Sequence, residues 1–171
     1  MIDYNLYKKT LKECSIDTSR HQKQHLVDNE NKAFSLDDYF IVFFKNNKKD
    51  RIKSIDAIFS KYCDFDHKNM FIEFKNQKLD NIKFDELYSK IYNSIIVFFS
   101  ENNYSIAKSR ANNEFILVYK DDLEKITDYL YELANQKFKG VERFKNFLFS
   151  NVRKITSDEF DECMRDFINR T

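Results

Sequence analysis

The chain has 171 residues, 29 basic against 28 acidic, so its formal net charge is +1 and no global field draws it onto nucleic acid. An apolar fraction of 42% fits one globular domain with a substantial core, made aromatic by 18 Phe and 10 Tyr. A single glycine, Gly140, excludes folds that need a Gly-rich phosphate loop, and no apolar run reaches membrane-spanning length. The opening MIDYNLYKKT lacks the apolar stretch of a signal peptide, and Cys14, Cys63 and Cys163 are widely spaced, which reads as reduced thiols in a cytoplasmic protein.

Tyr4, Tyr7, Leu11 and Cys14 recur at helical spacing and predict a first helix over 3–14. Residues 15–32 are polar, hold no clear period and read as a loop with some helix. Tyr39–Phe44 is a short run of β-formers before the turn-like NNKKD, favouring a strand hairpinned to 51–60; Ser35-Leu-Asp-Asp38 leaves a capped helix as the alternative. Residues 51–60 and 69–76 read as two further strands. Phe84, Leu87, Tyr88, Ile91, Ile95, Phe98 and Phe99 mark a long helix from 84 to 101, ended by Asn102-Asn103. Tyr104–Ala107 and Glu114–Tyr119 read as strands joined by the polar turn KSRANN. Asp121-Asp-Leu-Glu124 predicts a capping box for a helix to about Asn135, with Gly140 as a break. Phe147–Ile155 reads as a last strand, and Thr156-Ser-Asp-Glu159 caps a terminal helix to Asn169. The expected class is α+β, a central mixed sheet flanked by helices, in one domain over 1–171.

The stretch 51–76 carries the chemistry. In the second of its strands Phe71, Glu73 and Lys75 share one face, while Met70, Ile72 and Phe74 share the other. A carboxylate and an ammonium in an apolar strand are costly to bury without partners. Asp56, on the preceding strand, would be brought beside them by a hairpin. Two carboxylates and a lysine suit Mg²⁺-dependent phosphodiester cleavage, because carboxylates hold a hard cation by oxygen while the lysine orients water or offsets charge. The competing reading is a cross-strand ion pair on a solvated sheet face. Two other acid-x-Lys triplets, Glu30-Asn-Lys32 and Asp66-His-Lys68, lie in polar, turn-like sequence without an apolar strand.

Asp56, then Glu73-Phe74-Lys75 on the next strand, then a long amphipathic helix resembles the core of the PD-(D/E)XK nuclease superfamily over roughly 36–120. The residue before the Asp is Ile55 rather than Pro. The resemblance implies a restriction-endonuclease-like core of helix, three strands, helix and strand, with 121–171 as a strand-helix extension. It implies a Mg²⁺ (or Mn²⁺) ion held by Asp56 and Glu73, with Lys75 as the third catalytic residue. It also implies an acid from the first helix, for which Glu13 and Glu30 are both candidates. Lys90 on the long helix would face the scissile phosphate, or else pair with Glu86 one turn away. Lys108 and Arg110 would grip a nucleic-acid backbone.

Arg20 and His25 match the R-x4-H spacing of HEPN-type ribonucleases but lie early, in polar sequence, and read as a solvated basic segment. Were that loop folded toward the sheet, Arg20, His21, Lys23 and His25 would contact phosphates. His67 and Cys63 flank Asp64 and Asp66, yet no second Cys/His cluster completes a tetrahedral metal site. The functional expectation is a small metal-dependent endonuclease of a defence or mobile-element context, acting on nucleic acid. The alternative is a catalytically silent nuclease-like protein, an immunity protein or inhibitor working by protein contact. No membrane partner is expected.

Overall fold

The computed structural model describes residues 3–17, 24–44, 52–62, 67–120 and 128–170. In chain order the elements are a 3₁₀ turn (Tyr4–Tyr7), β1 (Lys8–Thr10), α1 (Leu11–Cys14), β2 (Ile16–Asp17), β3 (Gln24–His25), β4 (Lys32–Ser35), α2 (Leu36–Phe43), β5 (Ala57–Ser60) and β6 (Asn69–Lys75). A second 3₁₀ turn (Leu79–Asn81) then leads to α3 (Phe84–Asn102), α4 (Ile106–Asn112), β7 (Asn113–Tyr119), α5 (Asp128–Glu142), β8 (Asn151–Thr156) and α6 (Phe160–Arg170). Six strands form one mixed sheet in the order β1-β4-β5-β6-β7-β8. The pairs from β1 to β6 are antiparallel, and β6, β7 and β8 run parallel. Parallel neighbours need long crossovers, which α3 with α4, and then α5, provide.

The period-2 pattern divides the sheet residues between two cores. Phe34, Ile58, Phe71, Phe115 and Leu117 pack with α2, α3 and α5. Ala57, Phe59, Met70, Ile72, Phe74, Ile116 and Val118 pack with Leu11 and with Phe160, Met164 and Phe167 of α6. The central strands β6 and β7 are thus covered on both faces, which explains their near-continuous apolar sequence. The expected α+β class with a helix-flanked mixed sheet is what the chain forms. No helix among the described residues is long and apolar enough to cross a membrane.

Several elements differ from expectation, each for a local reason. Residues 36–43 are helix α2, not a strand: Ser35 Oγ accepts the Asp38 N–H at 3.4 Å, and Leu36, Tyr39 and Phe40 bury while Ile41, Val42 and Phe43 stay exposed. The strand pairing with β5 is therefore β4, through Phe34 opposite Ile58, so the sheet core begins before residue 36. The first segment is no continuous helix, because Thr10 and Glu13 form a capping box that starts α1 only after β1 has paired with β4. Tyr104–Ala107 is not a strand either; Ser105 Oγ accepts the Lys108 N–H at 3.1 Å and caps α4. Gly140 lies inside α5 rather than breaking it, and the predicted cap at 121–124 lies outside the described residues. The α3 stop is as expected, with Asn103 in the left-handed region at φ 52°. The Thr156–Glu159 box also forms, the carboxylate accepting the Thr156 N–H at 2.9 Å.

Gly140 is needed where α5 crosses α3. A Cβ there would stand 1.8 Å from the Tyr88 hydroxyl oxygen and 3.0 Å from the ring carbon bearing it. Gly140→Ala is expected to destabilise by about 1 kcal/mol, overpacking outweighing the helix-propensity gain. In a Tyr88→Phe background, urea denaturation should show most of that loss removed; an equal loss in both backgrounds would contradict the steric account.

Candidate active site

The site is built where β5 begins, at the C-terminal end of β6, under α3. The β5–β6 register pairs Ala57 with Ile72, so one step further Asp56 comes opposite Glu73. The backbone of Asp56 is held from both sides, its N–H donating to Ile72 O at 3.2 Å and its carbonyl accepting the Leu36 N–H at 3.1 Å. Its side chain turns onto β6, where Oδ2 accepts the Phe74 N–H at 2.6 Å. Helix α3 clamps the approach to this residue. Ser94 Oγ accepts the Ile55 N–H at 2.9 Å, and Asn93 Nδ2 donates to Lys53 O at 3.0 Å.

Glu73 lies on the α3 face of β6 with its side chain fully buried. Both ammonium groups nearby converge on one of its oxygens: Lys75 Nζ is 2.7 Å and Lys90 Nζ 2.6 Å from Oε1. Lys90 Nζ also stands 3.5 Å from Asp56 Oδ1, so it spans the two carboxylates. The second oxygen, Glu73 Oε2, is buried with no hydrogen-bond partner among the described residues. The four groups sum to zero charge when ionised.

Their electrostatics follow from this packing. Burial, reinforced by the Glu73 charge, pushes the Asp56 carboxyl up to about 7; Lys90 and the Phe74 N–H act the other way, and Asp37 adds to the rise. Burial disfavours the Lys90 ammonium, but Asp56, Glu73 and Asp37 outweigh it and hold its pKa above the ordinary lysine value. Burial pushes the neighbouring Cys14 thiol up to about 12, with Asp56 contributing, so this cysteine is no nucleophile at neutral pH.

The sequence-predicted trio Asp56, Glu73 and Lys75 is thus brought together. Lys90 joins it and does not pair with Glu86, which is taken by Lys53 at 2.8 Å and Lys83 at 3.5 Å. Of the two first-helix candidates, Glu13 is engaged in the Thr10 capping box and Glu30 is exposed beside Lys12. The further acid that acts electrostatically on both Asp56 and Lys90 is Asp37, in the first turn of α2, which accepts the Ser54 hydroxyl at 2.5 Å. The signal for it was the Ser35 cap, legible only on the helical reading. Lys108 and Arg110 are not in a hairpin turn and do not reach the site. They lie on α4, before Asn113, which pairs with Asn69 at the far end of β6, about 13 Å along the strand from Glu73. Lys108 instead stands 4.5 Å over the Tyr104 ring. His25 is exposed on β3 with Nδ1 2.9 Å from Lys12 O; Arg20, His21 and Lys23 lie outside the described residues, as do Cys63, Asp64 and Asp66.

Among the described residues no three His, Cys, Asp or Glu side chains gather as a metal-binding group. Mg²⁺, however, is commonly held by one or two carboxylates, its other positions filled by water and substrate phosphate. Glu73, with its unpartnered Oε2, and Asp56 fit that requirement, on condition that Lys90 withdraws from between Glu73 Oε1 and Asp56 Oδ1. No family model, curated protein or solved structure matches the chain significantly.

Because folding raises the Asp56 carboxyl above its unfolded value of 3.8, the folded state holds that proton more tightly. The resulting stabilisation is complete below about pH 4 and is lost as pH rises through about 7. Asp56→Asn, which keeps an acceptor for the Phe74 N–H, should therefore gain stability relative to wild type over that window. Urea denaturation of both proteins across it tests this; a constant difference would contradict the assignment.

Proposed function

We propose that the protein is a metal-dependent nuclease that hydrolyses nucleic-acid phosphodiester bonds, with a core of the PD-(D/E)XK kind. One observation carries the reading: an Asp entering one strand, and a Glu-x-Lys on the antiparallel strand beside it, meet at a buried spot that holds an uncommitted carboxylate oxygen. The element order supports it, since β4, β5 and β6, helix α3 and then β7, parallel to β6, follow the strand-strand-strand-helix-strand order implied by the resemblance. The insertion of α2 between the first two strands departs from that order and contributes Asp37.

Asp56 and Glu73 would hold a Mg²⁺ or Mn²⁺ ion. When bound, such an ion supplies Lewis acidity toward the phosphodiester and an activated water at neutral pH. Lys75, two residues beyond Glu73 and one-fifth exposed, would orient the attacking water and offset charge accumulating on the phosphate. Its ion pair with Glu73 suits an ammonium in that role better than a free base. Asp56 must be ionised to hold a cation, so metal affinity and cleavage should both rise with pH through about 7.

A second reading is favoured by the same cluster. Lys90 already sits where a cation would lie, and a site neutralised from within describes a silent nuclease-like protein acting by protein contact. Exposed Ile41, Val42 and Phe43 on α2 suit such an interface.

Cleavage of mixed single- and double-stranded DNA and RNA, with Mg²⁺ or Mn²⁺ and with chelator, separates the two. The nuclease reading expects metal-dependent cutting that falls at least about 100-fold in Asp56→Asn, with the far-UV spectrum unchanged. Cutting retained in that variant would overturn the site assignment, and no cutting by wild type under any condition would favour the silent protein.

A further inference from the structure

Lys90 does something that neither a water-activating lysine nor a surface lysine does. Glu73 is already neutralised by Lys75 at 2.7 Å, yet Lys90 adds a second ammonium to the same oxygen and leans 3.5 Å from Asp56. Its side chain is only 14% exposed, so burial works against it and the two carboxylates together hold it. Asp56, Glu73, Lys75 and Lys90 balance to zero. Even with Asp37 counted, a divalent ion entering between the carboxylates would leave the ionised cluster net positive, with two ammonium groups a few ångströms away in a poorly solvated site. Such repulsion is severe at short range. The oxygens Lys90 holds are Glu73 Oε1 and Asp56 Oδ1, while Glu73 Oε2 is buried and unpartnered among the described residues.

We propose that Lys90 is an internal counterion that excludes divalent cations until a phosphate group draws its ammonium away, so that metal and phosphodiester enter the site together. This rests on the nuclease reading and adds a regulatory step to it. The lysine stem is long and flexible, and Lys90 projects from the first half of α3 rather than from the sheet. Its ammonium can therefore move without disturbing the Ser94 and Asn93 clamps on residues 53–55. A substrate phosphate offers the negative charge that replaces Asp56 and Glu73 as its partner. By linkage, a phosphate that tightens metal binding must be bound more tightly by metal to the same degree. The arrangement keeps the protein unloaded in the absence of nucleic acid.

Titration of the full chain with Mn²⁺, followed by the spin-resonance signal of the free ion, reads this without any cleavage step. Wild type, Lys90→Met, Lys90→Gln and Glu73→Gln are compared, each with and without a short oligonucleotide. Lys90→Gln keeps a hydrogen-bond donor for Glu73 and carries the test if Lys90→Met does not fold. Both Lys90 variants should bind Mn²⁺ about tenfold or more tightly than wild type, since a unit positive charge beside the ion is gone. The oligonucleotide should tighten Mn²⁺ binding strongly in wild type and little in the Lys90 variants. Equal or weaker binding in the Lys90 variants, with binding still lost in Glu73→Gln, would overturn the counterion role and leave the metal site standing. Absence of binding in every protein, with oligonucleotide present, would overturn both.

Discussion

The fully buried carboxylate of Glu73 is the constraint around which the rest is arranged. An isolated carboxylate in an apolar sheet would be driven to take up a proton or to unfold its surroundings. Here it is held by one ammonium from its own strand and another from the helix above, while the Asp on the neighbouring strand shares the second. Removing one of the two ammonium groups from such a buried set costs about 3–5 kcal/mol, because the carboxylates are left undercompensated. The docking of α3, the entry of β5 and the end of β6 therefore depend on one electrostatic knot. Ser94 and Asn93 fasten the same helix face to the backbone just before Asp56, so the ion cluster and the hydrogen-bond clamp fix the same joint.

The parts of this arrangement that follow from local pattern were legible. The alternation of Asn69–Lys75 placed Glu73 and Lys75 on one face, and the apolar periodicity of α3 placed a long helix after them. Asp56 beside Glu73 needed only a hairpin. What was not legible depended on choosing between patterns of equal local merit. Tyr39–Phe44 is apolar throughout, so it satisfies period 2 and period 3.6 alike; the Ser35 cap and the pairing of Phe34 with Ile58 decide for helix. With that choice went Asp37, which reaches the site only because α2 starts where β4 ends. Lys90 had a plausible partner four residues away in Glu86, but Lys53, thirty-three residues distant, takes that carboxylate. The short, lysine-rich β1 carries no pattern of its own and forms because β4 offers it an edge.

Lys90 also explains why one structure supports two functional readings. A cation between two acids is the feature a metal nuclease and its silent descendant share; they differ in whether that cation can leave. The near-balance of total charge, 29 basic against 28 acidic residues, favours neither, since any recognition of phosphate would rest on local arrangement and not on an overall field. Lys108 and Arg110 lie toward the far end of the sheet, whereas among the described residues Lys75 and Lys90 put their ammonium groups in the candidate site itself.

The most direct measurement is anomalous diffraction from crystals grown with Mn²⁺ and a short oligonucleotide. The account predicts a metal peak within bonding distance of Asp56 and Glu73, with the Lys90 ammonium turned onto a phosphate. No peak, with Lys90 still spanning the two carboxylates beside bound oligonucleotide, would contradict it.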